Sequence, residues 1–376
     1  MKQGWHSESI EDLCEVEYGT RVVRKRDAGT IYPVYGGGGA TFSMDVYNRE
    51  DRMVIARFAM SKKCVRFVDG KFFLNDSGLT ISPLDGNTFD QDFLNYHILS
   101  LNDEIYSLAR GTAQKNLNVD AFKKVKLSYP TSLEEQKQIV AKLDQCFEAI
   151  DKAKANAAKN LENAKELFQS KLNNIFSQKG EGWVEKKLLD VCSLKSGTTI
   201  AKSLEKGFGD IAYIKVADMN IEENLFSITT SSRYLDFKDI NERNIFPIGT
   251  VIFPKRGGAI ATNKKRITNI PICADLNTMG AIASDQIAPE YLHYYFLGFN
   301  LLDIANGTTI LQINNYSFDN LKISLPIEYE RQKDIVNLLS KLKEQTQSLE
   351  SKYQQELNSL EELKKSILQK AFEGEL

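Results

Sequence analysis

Two long stretches of the chain carry an apolar stripe of helical period. From Leu133 to about Phe176 there is no proline or glycine. Within that stretch Ile139, Leu143, Cys146, Ile150, Ala153, Ala157, Asn160, Ala164 and Leu167 recur at alternating steps of four and three. This is the seam of a coiled coil, with small residues around Ala153 to Ala158 that permit close approach. The second stretch reads Ile335, Leu339, Leu342, Thr346, Leu349, Tyr353, Glu356, Leu360, Leu363 and Ile367, with one charged interruption. Each opens just after a proline, Pro130 or Pro326, which cannot sit inside a helix and marks the boundary. About 44 helical residues extend roughly 66 Å, and such a helix with an exposed stripe is rarely stable alone. The stripes match in length and spacing, so they are expected to pair with each other, antiparallel, each leading away from its own globular domain. A coiled coil with another chain is the competing use of the same stripes.

Outside these helices the pattern changes period. Short β-rich runs such as Met53 to Arg57, Val65 to Val68, Ile211 to Val216 and Thr250 to Phe253 are separated by Gly and Asn turns. A helical stretch, Phe93 to Leu101, has a counterpart at Tyr291 to Phe299. The expected fold class is α+β: two pseudo-repeated globular domains, residues 1–130 and 179–326, separated by two long antiparallel coiled-coil helices, 131–178 and 327–376.

The halves are a tandem repeat. ARGTAQKNLNVDAFKKVKLSYPTSLEEQKQIVAKL, from Ala109, aligns without gaps to ANGTTILQINNYSFDNLKISLPIEYERQKDIVNLL, from Ala305, at a constant offset of 196. Near the domain starts Trp5 answers Trp183, Cys14 answers Cys192, and Gly19-Thr20 answers Gly197-Thr198. LNYHILSLN at Leu94 resembles LHYYFLGFN at Leu292. Between these anchors, residues 21–93 and 199–291 share little. Drift after duplication does not by itself collect the differences in the middle of each half. One scaffold carrying two different specificities does.

Composition narrows the class without naming a chemistry. With 42% hydrophobic and 26% charged residues the chain is of globular type, and no apolar run of 18 residues is present to cross a membrane. The start, MKQGWHSESIEDL, lacks the layout of a secretory signal, so a cytoplasmic location is expected. Five cysteines form no CxxC pair and there are three histidines, so no zinc spacing can be assembled and buried free thiols are expected. The net charge is −2, and residues 1–130 and 179–326 each balance to zero. Positive surface must therefore come from clusters: Arg21, Arg24, Lys25 and Arg26; Lys62, Lys63 and Arg66; Lys123, Lys124 and Lys126; Lys255, Arg256, Lys264, Lys265 and Arg266.

Catalytic signatures are missing. No (Asp/Asn)-Pro-Pro-aromatic string of an adenine methyltransferase occurs, and no Gly-x-x-x-x-Gly-Lys-(Ser/Thr) loop to hold ATP. The run Gly36 to Gly39 lacks the lysine and the following helix. Neither catalytic residues nor metal ligands are expected.

In this order, and twice over, the motifs resemble the specificity (S) subunits of type I restriction–modification systems, across nearly the whole chain. The Trp and Gly-Thr of each domain start belong to the resemblance. So do the Gly-Thr-x-x-x-x-(Ile/Leu)-Asn frames at Gly111 to Asn118 and Gly307 to Asn314. The string Pro130, Glu134, Gln136, Ile139, Val140 recurs as Pro326, Glu330, Gln332, Ile335, Val336, and ILQKAFEGEL closes the chain. One departure is local: an Ile-x-Arg-x-Gly turn is common in the family, but Val54-Ile55-Ala56-Arg57-Phe58-Ala59 lacks the glycine, whereas Lys255-Arg256-Gly257-Gly258 keeps it.

The resemblance implies target-recognition domains that bind double-stranded DNA. It also implies methyltransferase (M) subunits, expected as a pair and using S-adenosylmethionine, and restriction (R) subunits using ATP and Mg. No cofactor is expected on this chain. Candidate readers are polar residues in loops near basic clusters: Arg21, Arg24, Lys25, Arg57, Lys62, Lys63, Gln114 and Lys115 in the first domain; Lys255, Arg256, Asn263, Lys264, Lys265, Thr309 and Gln312 in the second. The Gly-Thr frames could instead simply end a helix and turn the chain. Phe147, Phe168, Phe176 and Phe372 are candidates for M-subunit contact, with core packing as the competing fate. The expected mechanism is a bipartite asymmetric target whose unread gap is fixed by the helix pair. A coiled-coil protein adaptor is the main rival and a standalone nuclease or methyltransferase the second.

Overall fold

The computed structural model describes residues 4–307 and 309–376. The chain forms two compact units, Met1–Ala158 with Gln354–Leu376, and Lys159–Tyr353. Each long helix thus contributes its two halves to different units, so compactness divides the chain within the helices and not at their ends.

The repeat is visible strand by strand. In the first unit Trp5–Ser9 pairs antiparallel with Lys126–Pro130, Trp5 opposite Pro130. In the second, Trp183–Lys187 pairs with Lys322–Pro326, Trp183 opposite Pro326. One turn of helix follows each, Ile10–Leu13 burying Ile10 and Leu13, or Leu188–Val191 burying Leu188 and Val191. A strand then enters the main sheet. The first sheet runs Cys14–Tyr18, Gly78–Pro83, Arg49–Ala56, Val65–Leu74, Tyr32–Gly36, Gly39–Met44. The second runs Cys192–Ser196, Thr278–Ala283, Val251–Pro254, Arg266–Thr268, Ser227–Ile228. The first four strands correspond, and the pairing beyond them is shared as well. Tyr32–Gly36 lies parallel to the end of Val65–Leu74 and antiparallel to Gly39–Met44, as Ile211–Ile214 lies parallel to Ile272–Ala274 and antiparallel to Tyr234–Leu235. Residues 37–38, which join the first pair, are replaced in the second by 215–233 with the additional strand Ser227–Ile228. The divergent stretches 21–93 and 199–291 therefore still supply three of the four corresponding strands of each sheet, and the halves differ most in what joins the strands.

A helix packs on each sheet: Gln91–Ser100, capped by the Asp90 carboxylate, and Pro289–Leu297, which starts on the proline. Proline suits that first position because its missing N–H would be unpaired there in any case. Phe93 and Ile98, or Tyr291 and Phe296, fill cores that also take in the adjoining long helix through Ile139, Leu143 and Ile150, or through Ile335 and Val336.

The long helices run Leu133–Phe176 and Tyr329–Glu373. In the first unit Asp151 meets Lys364 (3.3 Å) and Lys154 meets Glu361 (2.5 Å), so position rises along one helix as it falls along the other. In the second unit Leu172 and Ile175 share a cluster with Leu339. The pairing is antiparallel and internal to the chain. Its seam departs from the four–three count, however. Leu167 (49% exposed), Leu349 (36%) and Leu363 (47%) face outward, while Phe168, Leu172 and Ile175, and on the other helix Leu357 and Leu368, turn inward. A helix of 3.6 residues per turn drifts about 20° per heptad from a 3.5-residue stripe, so a strict count loses the seam over several heptads.

Each helix is fastened to its domain by one buried glutamine. Gln136 Oε1 accepts from the Asp90 N–H (2.8 Å), and its Nε2 donates to the carbonyls of Thr88 and Pro130 (3.1 and 2.9 Å). Gln332 Oε1 accepts from the Ala288 N–H (2.9 Å), and its Nε2 donates to those of Gln286 and Pro326 (3.1 and 3.2 Å). Among the described residues no helix is long and apolar enough to cross a membrane. Cys14, Cys64, Cys192 and Cys273 are buried as free thiols, and desolvation pushes them up to about 12, 11, 12 and 11 respectively, which makes them poor nucleophiles.

Candidate nucleic-acid interface

The same loops meet at the end of each main sheet. The Gly19 N–H donates to the Gly78 carbonyl (3.1 Å) and that of Thr20 to Leu74 (2.9 Å). Gly197 and Thr198 do the same with Thr278 and Ala274 (2.9 Å each). A Cβ on Gly19 would lie 1.9 Å from the Asn75 carbonyl oxygen, and one on Gly197 2.0 Å from that of Asp275. The Gly-Thr pair is thus required by a crossing too close for any side chain.

The loop after the third frame strand threads between that turn and the second Gly-Thr frame. Arg57 N–H donates to the Ser77 carbonyl (2.8 Å), and the Arg57 carbonyl accepts from Leu117 (2.8 Å). Lys255 repeats this with Asn277 and Ile313 (2.8 and 2.9 Å). Gly111 and Gly307, at φ +111° and +100°, close the tight loops that present Gln114-Lys115 and Leu311-Gln312. Thr308 of the second frame lies outside the described residues. The missing glycine of the first domain leaves a trace: Ala59 adopts φ +48° where Gly257 adopts φ +69°.

Arg57, Gln114 and Lys115 come together in this cluster. The Arg57 guanidinium lies between the rings of Tyr18 and Phe58, 5.0 and 4.7 Å away, and Lys115 Nζ sits 4.5 Å from the Tyr106 ring. Arg21 is exposed, as are Arg24 and Lys25 on the one-turn helix Arg24–Asp27. Lys62 is exposed, and Lys63 lines a cavity of about 900 Å³ together with His97, Lys126 and Phe372. Arg66, from the same basic cluster, donates from Nη2 to the Gly37 carbonyl (2.9 Å) and ties the glycine-rich hairpin to the sheet.

In the second domain Arg256, Thr309 and Gln312 are exposed and Lys264 half-buried. Gln312 exchanges two backbone hydrogen bonds with Asn306 (2.8 Å each). Lys255 Nζ donates to Ser196 Oγ (2.9 Å), and partial burial lowers its pKa. One candidate is corrected, and a second is engaged through its side-chain oxygen. Lys265 is 1% exposed, and its ammonium donates to Asn263 Oδ1 (2.7 Å) and the Phe299 carbonyl (2.5 Å). Desolvation takes it down to about 8. Asn263, at φ +53°, also accepts from the Leu301 N–H (2.8 Å). Both clamp the segment after helix Pro289–Leu297, Lys265 from a buried position and Asn263 through its Oδ1. Nearby, Arg233 and Lys215 are neutralised by Asp218 and Glu205 (3.2 and 2.7 Å), a network hidden from sequence by its spacing.

Of the four phenylalanines, Phe147 and Phe372 are corrected, being buried in the core. Phe147 packs edge-on to Tyr96, and Phe372 stacks on His97 at 4.2 Å with planes 2° apart. Phe176 sits against Tyr291 and Tyr295, and half-buried Phe168 against Tyr294. Apolar burial claims Phe147 and Phe372, while Phe168 and Phe176 stay half-buried. Outward apolar residues on the helices include Leu167, Leu338, Leu349 and Leu363.

Two copies of one frame, each ending in a loop cluster with a basic residue at its centre, define a duplicated recognition scaffold. Residues 2–160 and 180–359 match the family described as the type I restriction modification DNA specificity domain, and the chain belongs to that family. It is 28% identical over 167 residues to the type I restriction enzyme MjaIX specificity subunit of Methanocaldococcus jannaschii, covering 42% of this chain and 37% of that one. It is 24% identical over 175 residues to a putative type I specificity subunit, S.MgeORF438P, of Mycoplasma genitalium, covering 46% and 45%. The matches thus span less than half the length of these curated relatives. The fold matches a solved chain described under complex assembly and conformational transition of the type I R-M system, with TM-score 0.79, 18% identity and coverage of 100% and 99%. An HsdS subunit from Thermoanaerobacter tengcongensis matches with TM-score 0.61, 18% identity and coverage of 100% and 98%.

Proposed function

We propose that this chain is the sequence-reading subunit of a type I restriction–modification complex, with each domain reading one half of a bipartite, asymmetric site in double-stranded DNA. The observation that carries this reading is the pairing of one shared frame with unlike connections, the two-residue turn 37–38 in one half and the segment 215–233 with its extra strand Ser227–Ile228 in the other. Phosphate contacts from exposed Arg21, Arg24, Lys25 and Arg256 would orient the duplex, while the loop clusters address base edges. The long helices serve as the spacer between half-sites. They also dock the M subunits, two in number, through outward leucines such as Leu338 and Leu363. On this reading the chain is non-catalytic, binds no cofactor itself and acts in the cytoplasm. S-adenosylmethionine belongs to the M subunits, and ATP and Mg to the R subunits.

Mapping methylated adenines genome-wide, with and without the chain, tests the reading. One bipartite motif should lose its methylation when the chain is removed. An unchanged pattern rejects the assignment. A protein adaptor would leave binding of the M–S complex to DNA without the steep salt dependence that phosphate contacts impose.

A further inference from the structure

Arg57 is held in place through its backbone and two rings, without a counter-charge among the described residues. Arg26 is paired with Asp27 and Arg49 with Glu17, whereas among the described residues no carboxylate pairs with Arg57. Its backbone is tied on both sides, to Ser77 and to Leu117. Its guanidinium is flanked by Tyr18 and Phe58, and its Nη1 reaches the Asp76 carbonyl at 3.4 Å. Both rings are themselves partly exposed, 44% and 37%, so the group stands at the surface of the loop cluster. A planar fork already fixed in direction loses little freedom on binding, and its charge awaits a partner.

We infer that Arg57 reads a guanine in the half-site of the first domain, its fork donating to the O6 and N7 acceptors on the major-groove edge. This rests on the DNA-reading function proposed above. The geometric match is that of a bidentate donor to two adjacent acceptors, which no other base presents in that groove. The equivalent position in the second domain is Lys255, a point donor already engaged with Ser196 Oγ. The two half-sites therefore differ in chemistry at corresponding positions.

The test is selection of bound sequences from a randomised duplex library by the full chain in complex with its M subunits, for wild type, Arg57→Lys and Arg57→Ala. The wild-type consensus should contain a G·C pair in the first half-site. Arg57→Lys keeps the charge but not the fork, and should lose preference at that one pair by roughly tenfold or more, with the other half-site and the spacer unchanged. Arg57→Ala should lose the same preference. A first half-site without G·C overturns the inference. So does a weakening by either variant that is uniform over all sequences with the consensus retained, the mark of a phosphate contact. A wild-type complex that selects no sequence sinks the underlying DNA-reading function as well, and does so before any variant is compared.

Discussion

Gln332 repeats, bond for bond, the anchoring made by Gln136: one backbone N–H accepted from the segment entering the domain helix, and two carbonyls served by the amide nitrogen. Both side chains are buried, at 0% and 1% exposure. A glutamine is the side chain that can do this from a helix's first turn, since it carries an acceptor and two donors on one amide.

Removing either amide leaves a buried N–H and two carbonyls without partners. Gln136→Ala and Gln332→Ala should each cost about 1–3 kcal/mol, whereas an exposed neighbour such as Gln138→Ala should change little. Urea unfolding of the purified chain measures this. Equal stability of the buried and exposed variants would show that water replaces the lost bonds.

Ala59 and Gly257 make opposite predictions from the same backbone geometry. Both sit at positive φ, where a Cβ is strained. Gly257→Ala should destabilise the chain by about 1 kcal/mol although open space surrounds the new methyl. Ala59→Gly should be neutral or stabilising, because relief of strain opposes the greater freedom of an unfolded glycine. Thermal melting of both variants decides it, and a matching loss in both would refute the argument.

His97 should make stability fall as acid is added. Burial holds its imidazole at about 3 in the folded chain, against an ordinary value near 6.5. The unfolded chain therefore binds the proton first. Stability from this residue is complete above about pH 6.5 and is lost progressively as pH falls toward 3. His97→Phe keeps an aromatic ring against Phe372 and removes the titration. The melting temperature of the variant relative to wild type should rise as pH drops from 7 to 4.5. A constant difference over that range would mean that His97 is already open to protons.

The shared frame was legible in sequence because its residues meet strict local demands. Gly19 and Gly197 must pass a carbonyl, and Gln136 and Gln332 must serve three backbone groups, so the same letters recur at the same spacing. The motif containing Gln136 could be read without its task, since Asp90 and Thr88 lie more than 40 residues away. The readers were less legible. Lys265 and Lys264 are adjacent and alike in sequence, yet one is clamped under Phe299 and the other half-exposed. What separates them is tertiary burial, to which a charge cluster is blind. Arg57 was identified from its motif, but its orientation depends on Tyr18, 39 residues earlier. The helix seams show a third kind of limit. Their existence and pairing follow from the stripe, but its phase does not survive the drift of a straight helix, which is why Leu167 and Leu363 face outward.

The spacer role can be tested through length alone. Each long helix is continuous, over 44 and 45 residues, so an insertion in its middle leaves both glutamine anchors and both loop clusters untouched. Adding one helical turn to both helices lengthens each by about 5.4 Å, which is between one and two base-pair rises along a duplex. Because the helices run antiparallel, both must be extended at facing points, or the seam residues Ala157 and Leu360 lose their partners. If the rod sets the gap, the selected motif should keep both half-sites and gain one or two unread base pairs between them. Half-sites that change while the gap stays fixed would show that the helices only hold partner subunits and that spacing is set elsewhere in the complex.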